Sequence, residues 1–203
     1  NTTPVFVFAN PSIDEVRKIL TNIPSSILQF HGDESSHFCE QFNQPFWKTI
    51  RVKNPESLKK INDYPSANAF LLETFSNDLH GGTGKVFDWS LLDEISLDKQ
   101  FVLAGGINSE NIKQAISLNP WCIDVNSGVE SSLARKDKTL MGQVIKTFKN
   151  PNTRYLLVCI TPYTFISFIF LFLCRKKIFV YLFSSGHEEY KHILGSWFVW
   201  IYH

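Results

Sequence analysis

Apolar and polar positions along this chain follow two alternating periods, and they predict six strand–helix units in the first 150 residues. Residues 3–9 read as a short buried strand, and Asn10-Pro11-Ser12 as a turn in which Ser12 suits a helix cap. Ile13, Val16, Ile19 and Leu20 then recur at helical spacing. A second strand covers 26–31, is closed by Gly32, and leads into a helix over 34–42. The third unit is a strand over 47–52 with a helix over 55–61. The fourth is a strand over 69–73, followed by a glycine loop and a helix starting near Asp88. Strands over 101–104 and 123–125 complete the series, with helices over 109–117 and 138–148. Short apolar strands alternating strictly with amphipathic helices make an α/β fold on a parallel sheet. The spacing is that of a (β/α)8 TIM-type barrel. Six units do not close eight strands, so the expectation is an incomplete barrel, with two units missing ahead of residue 1.

Beyond residue 150 the pattern changes, and the expected division is 1–150 as the barrel domain and 151–203 as a hydrophobic tail. The tail holds 14 of the 29 aromatic residues. Residues 155–174 carry no charged side chain and are followed by Arg175-Lys176-Lys177, which meets the length and flank of a membrane-spanning helix. The run is also rich in β-branched and aromatic residues and contains Pro162. Three readings stand: a membrane anchor, a replacement piece of core, or non-native sequence. The last is preferred, because no organised pattern continues past the run.

Charge narrows the function. Twenty basic side chains against nineteen acidic ones leave a net charge of +1, which offers no electrostatic footprint for nucleic acid. The four cysteines have no C-x-x-C spacing and read as reduced, buried thiols of an intracellular, cytoplasmic protein. The alternative is association with a membrane through 155–174. The start, Asn-Thr-Thr-Pro, has no signal-peptide pattern and reads as the interior of a longer chain. His187 and His192 lie five apart, whereas a zinc-binding H-E-x-x-H needs four, so no metal is expected.

The strongest chemical signal lies in two strand-to-turn segments, residues 101–108 and 123–130. Backbone N–H groups at Gly105, Gly106, Ser127 and Gly128 can approach an anion closely, because few side chains block them. In (β/α)8 barrels the phosphate site typically lies in the loops after strands 7 and 8. The pair therefore points to a small phosphorylated substrate.

In chain order, the sequence shows Gln29-Phe30-His31-Gly32-Asp33-Glu34, then Gly81-Gly82-Thr83-Gly84-Lys85-Val86-Phe87-Asp88-Trp89. Leu103-Ala104-Gly105-Gly106-Ile107-Asn108, Asp124-Val125-Asn126-Ser127-Gly128-Val129-Glu130 and Lys136-Asp137 follow. Together these motifs resemble the phosphoribosylanthranilate isomerases of tryptophan biosynthesis, over about residues 3–149. The resemblance implies a (β/α)8 barrel whose third to eighth strands are seen here. It also implies an Amadori rearrangement of N-(5-phosphoribosyl)anthranilate to the aminodeoxyribulose phosphate, without metal or organic cofactor. Glu73 stands where that family has its general-acid Asp, with one methylene more, and is implied to be the catalytic acid. Gln29 and His31 are implied to line the floor of the site, Gly82 and Gly84 to shape the pocket, and Asp124 to contact the opened sugar or aniline nitrogen. A structural role for Asp124, bonded to a neighbouring loop, is the competing reading. The family's general-base Cys and carboxylate-binding Arg fall in the units expected to be missing. The expectation is thus an isomerase impaired in this chain. The alternative is a membrane-tethered module that binds a phosphate ligand without turnover. Residues 157–161 and 168–170 faintly echo the family's first two strands, but too few residues separate them for a parallel crossover. Trp89 is expected in the core, and Lys85 and Lys136 as solvated charges. The oligomeric state is left open.

Overall fold

The period-two alternation becomes a curled parallel sheet. The computed structural model describes residues 3–75, 86–93, 99–132, 135–148, 156–160, 169–173 and 179–184. In chain order the first elements are β1 (Thr3–Phe8), α1 (Ile13–Asn22), β2 (Ile27–Phe30), α2 (Ser36–Glu40), β3 (Phe46–Val52) and α3 (Pro55–Lys59). They are followed by β4 (Ala69–Thr74), β5 (Gln100–Leu103), α4 (Ile112–Ser117), β6 (Cys122–Val125), β7 (Glu130–Ser132), β8 (Arg135–Lys136) and α5 (Lys138–Phe148). Strands β9 (Leu156–Ile160), β10 (Ile169–Leu173) and β11 (Phe179–Ser184) come last.

Strands β1 to β6 pair in sequence order and all run parallel. The six expected strands are therefore all present, as one continuous curled sheet. Closure of the ring was not foreseen. β9 pairs parallel with β6, β10 is antiparallel to both β9 and β11, and β11 pairs parallel with β1 along its full length. The result is a closed ring in the order β1-β11-β10-β9-β6-β5-β4-β3-β2. The short link between β9 and β10 suits an antiparallel pair, which needs no crossover helix. Within the run 155–174 the described residues form these two strands. Among the described residues, no helix is long and apolar enough to cross a membrane.

Alternation sorts the side chains into two apolar layers. Phe6, Phe8, Leu28, Phe30, Ile50, Leu72, Ile123 and Val125 point outward and pack under Val16, Leu58, Ile112 and Val144 of the helices. Val5, Val7, Trp47, Ala69, Leu71, Val102, Ala104 and Cys122 fill the lumen. Trp89 is buried in the outer layer, as expected.

Caps, turns and one tertiary contact set where the helices begin and end. Ser12 caps α1 in full, with its Oγ accepting from Glu15 N–H and the Glu15 carboxylate accepting from Ser12 N–H. The second helix starts at Ser36, after Glu34, because the Glu34 side chain turns inward to a buried partner. The fourth starts at Ile112 because Asn108 and Asn111 bond each other's backbone in a preceding turn. Near Asp88 only a 3-10 turn, Trp89–Leu92, is formed among the described residues, with Asp88 accepting from Ser90 N–H.

Candidate functional site

Continuing the lumen-facing alternation past the apolar layer gives the site. Two residues beyond Leu71 on β4 is Glu73, and two beyond Cys122 on β6 is Asp124. On β3 the positions after Trp47 are Thr49 and Arg51, and after Gln29 of β2 comes His31. Five polar side chains therefore ring the carboxyl ends of the strands, above a floor of apolar groups. Such ends carry the active site in barrels of this kind.

The first three strands of this ring interlock. Glu73 and Arg51 are register partners across β3 and β4. Glu73 Oε1 lies 3.2 Å from His31 Nε2 and 3.4 Å from Arg51 Nε. Arg51 Nη2 donates to the His31 carbonyl at 3.2 Å, and Thr49 Oγ1 lies 3.1 Å from His31 Nδ1. Burial raises the Glu73 pKa, but the His31 hydrogen bond and charge and the Arg51 charge outweigh it, and the net direction is down. Asp124 is the opposite case. Its Oδ1 is buried with no hydrogen-bond partner among the described residues. Burial pushes its pKa up to about 7, with Glu73 adding repulsion and Lys136 and His31 opposing. Gln29 Oε1 is likewise buried and unpartnered.

A buried ion pair holds the His31 turn from behind. Lys48, on the outward face of β3, donates to the Phe30 carbonyl at 3.2 Å, the Gly32 carbonyl at 2.6 Å and Glu34 Oε2 at 3.2 Å. Glu34 Oε1 in turn accepts from Asn10 N–H and Gly32 N–H. Both side chains are at most 3% exposed. Cys39 lies in the same pocket, where burial pushes its thiol up to about 12 and leaves it unreactive at neutral pH.

The paired turns after β5 and β6 are built to bring backbone close. Gly105 has φ +82°, and a Cβ there would sit 2.6 Å from Thr74 N. A Cβ on Gly128 would sit 1.9 Å from the Ile107 carbonyl oxygen. Asn108 and Gly128 form a parallel bridge that joins the two turns. Asn111 donates to the Gly106 carbonyl at 3.0 Å. Lys136 is a correction to the sequence reading. Its side chain is 6% exposed, paired with Glu130 and donating to the Asn126 carbonyl, because the β7–β8 hairpin folds it under the second turn.

The structure thus brings together Gln29, His31, Glu73 and Asp124 in the lumen and Gly105, Gly106, Ser127 and Gly128 at the neighbouring turns. Gly82, Gly84 and Lys85 lie outside the described residues, as does the segment from His187 to His192. Thr49, Arg51, Lys48, Asn111 and the burial of Lys136 went unread in the sequence. Thr49 and Arg51 had a signal, since they share Trp47's face. Among the described residues, no cluster of His, Cys, Asp and Glu is arranged to hold a metal.

Comparison with known proteins agrees with this geometry. The family model described as N-(5'-phosphoribosyl)anthranilate (PRA) isomerase matches residues 1–147. The N-(5'-phosphoribosyl)anthranilate isomerase of Legionella pneumophila (strain Corby) is 44% identical over 144 residues, 70% of this chain and 69% of that protein. That of Neisseria meningitidis serogroup A (strain Z2491) is 41% identical over 145 residues, again 70% and 69%. Among solved structures, phosphoribosyl anthranilate isomerase from Thermotoga maritima superposes with a TM-score of 0.61 at 31% identity, over 71% of this chain and 72% of that one. A phosphoribosyl anthranilate isomerase in complex with reduced 1-(o-carboxyphenylamino)-1-deoxyribulose 5-phosphate gives 0.57 at 28%, over 71% and 70%. A lumen ringed by carboxylates beside paired glycine turns, a match running the length of the six-stranded sheet, and relatives above 40% identity lead to one assignment: the chain belongs to the N-(5'-phosphoribosyl)anthranilate isomerase family of tryptophan biosynthesis.

Proposed function

We propose that this chain isomerises N-(5'-phosphoribosyl)anthranilate to the aminodeoxyribulose phosphate, in the cytoplasm and without a cofactor. The observation that carries the reading is that the carboxyl ends of β4 and β6 hold two carboxyl side chains, Glu73 and Asp124, on the sheet whose turns after β5 and β6 are bridged at Asn108 and Gly128. The turns take the phosphate through the N–H groups of Gly105, Gly106, Ser127 and Gly128, with glycine at 105 and 128 letting the turns pack against the backbone of Thr74 and Ile107. The sugar then lies across the lumen between Glu73 and Asp124. Gln29 and His31 form the floor beneath it, and the anthranilate ring points outward.

The chemistry needs a proton delivered to the ring oxygen and a proton removed from C2. Carboxyl groups on two strands supply both within one lumen. Electrostatic support comes from His31 and Arg51, already gathered around Glu73.

The test is growth without tryptophan of a bacterium that lacks this isomerase and expresses the 203-residue chain. It is paired with binding of reduced 1-(o-carboxyphenylamino)-1-deoxyribulose 5-phosphate to the purified chain. Micromolar binding competed by inorganic phosphate is expected, with slow growth, because the family's general-base Cys and carboxylate-binding Arg are expected to be missing. Folded protein that neither supports growth nor binds the compound overturns the reading.

A further inference from the structure

Three side chains of β3 converge on one residue beside it, His31, which follows β2. The backbone there is held on every side. His31 N–H donates to the Phe8 carbonyl at 2.7 Å, and the His31 carbonyl accepts from Arg51 Nη2 at 3.2 Å. Lys48 Nζ donates to the carbonyls before and after it, those of Phe30 and Gly32. With the backbone fixed, what remains to be set is the ring: how it is turned, and which nitrogen carries the proton. Thr49 Oγ1 lies 3.1 Å from Nδ1, and Glu73 Oε1 lies 3.2 Å from Nε2. Thr49 is 5% exposed, and its hydroxyl has no other partner among the described residues. Arg51 decides the direction of this bridge. A guanidinium N–H only donates, and Arg51 Nε reaches the same oxygen of Glu73, Oε1, at 3.4 Å. Oε1 is therefore an acceptor, and any proton on that carboxyl sits on Oε2. His31 Nε2 must then donate to Oε1. A neutral imidazole in that tautomer has a bare Nδ1, which accepts from the Thr49 hydroxyl. The other tautomer would set a bare Nε2 against a carboxylate oxygen, and a ring turned over about Cβ–Cγ would set carbon against both partners.

We propose that Thr49 is a positioning residue of the isomerisation: its hydroxyl holds the His31 imidazole with the proton on Nε2, so that Glu73 is gripped by Oε1 and turns Oε2 to the sugar. This rests on the functional reading above and deepens it. Both contacts on Glu73 fall on Oε1, and Oε2 has none among the described residues. A glutamate side chain has more rotamers to lose than an aspartate, so a grip on one of its oxygens removes more freedom. Thr49 does this without touching the substrate, through a ring that spans from β3 to β4.

The full chain, labelled with 15N in its histidines, is followed by long-range proton–nitrogen NMR in the alkaline range where imidazole rings are neutral. The spectrum reads directly which ring nitrogen is protonated. His31→Gln identifies the His31 signals among the six histidines, and sequential assignment of the unsubstituted chain serves if that variant fails to fold. The unsubstituted chain and Thr49→Ser are expected to show Nε2 protonated and Nδ1 bare. Thr49→Val keeps the shape and loses the donor, and is expected to show a mixture of tautomers. Turnover of N-(5'-phosphoribosyl)anthranilate is measured on the same preparations. Thr49→Val should lower kcat by about tenfold, as the loss of one hydrogen bond does, and leave KM nearly unchanged; Thr49→Ser should restore kcat. A neutral His31 protonated on Nδ1 in the unsubstituted chain overturns the proposal, whether or not any variant folds. A folded Thr49→Val chain in which either the tautomer or kcat is unchanged does the same. An unsubstituted chain without turnover also overturns the positioning role. Its binding of reduced 1-(o-carboxyphenylamino)-1-deoxyribulose 5-phosphate then shows whether the functional reading survives or falls with it.

Discussion

Replacing Lys48 with Met isolates the energetic cost of the buried pair behind the site. Met fills much of the same volume but donates nothing. The substitution removes the donor to the Phe30 and Gly32 carbonyls and strands the Glu34 carboxylate in a pocket where it is 2% exposed. Breaking one partner of a buried ion pair typically costs about 3–5 kcal/mol. Glu34 retains the Asn10 and Gly32 N–H groups, which places the expected loss toward the lower end of that range. For a chain of this length such a loss lowers Tm by roughly 6–20 °C. Urea denaturation followed by circular dichroism supplies the free energy. Glu34→Gln and the double variant complete the cycle, and the double variant should cost less than the sum of the singles, because it leaves no uncompensated charge. A Lys48→Met chain within about 1 kcal/mol of the parent would refute the reasoning, because it would show the carboxylate finding water or another cation at little cost.

Gly105→Ala forces a side chain into the left-handed region, with its Cβ against Thr74 N. It should cost about 1–3 kcal/mol by denaturation and weaken inorganic phosphate binding at least tenfold; equal affinity would argue that the anion sits elsewhere. Asp124→Asn should stabilise the protein at pH 8. The Asp124 pKa is raised above its unfolded value, so its contribution is fully present below about pH 4 and is lost as pH rises through about 7. Denaturation across that window should give a flatter profile for the Asn variant, and a parallel one would contradict the burial argument. Arg51→Met acts in the other direction. The Glu73 pKa is depressed, so its ionised form stabilises the fold above the ordinary carboxylate range, and that support is lost as pH falls through the folded value. The stability gap between Arg51→Met and parent should be open at pH 7 and closed near pH 3; a gap independent of pH would assign Arg51 a packing role only.

Most of the barrel was legible because period-two and period-3.6 patterns report burial directly. All six parallel strands lie within two residues of their predicted bounds, and α5 matches its predicted span. The late start of α2 was not legible, because it depends on a tertiary partner: Glu34 turns inward to Lys48 ahead of Ser36, and no local pattern encodes that contact. Candidate residues that carry a motif, such as the glycines of the two turns, could be read singly. Residues that act through register could not. Arg51 meets Glu73 only because β3 and β4 pair in one alignment, and Lys136 is buried only because a short hairpin folds back. The closing strands were hidden for a further reason. A run that is apolar throughout has no period to distinguish a strand from a helix.

Closure of the ring also sets an order of events during synthesis. β1 is synthesised well before β11, at Phe179–Ser184, which covers its outer edge. Until those residues emerge, the nascent six-stranded sheet carries two unpaired edges, at β1 and at β6, each a template for pairing with another chain. The joining contact spans nearly the whole described sequence, the most costly kind to form by chain diffusion. The same strands that remove edges from the finished ring thus leave the growing chain dependent on a late step, and vulnerable to aggregation before it.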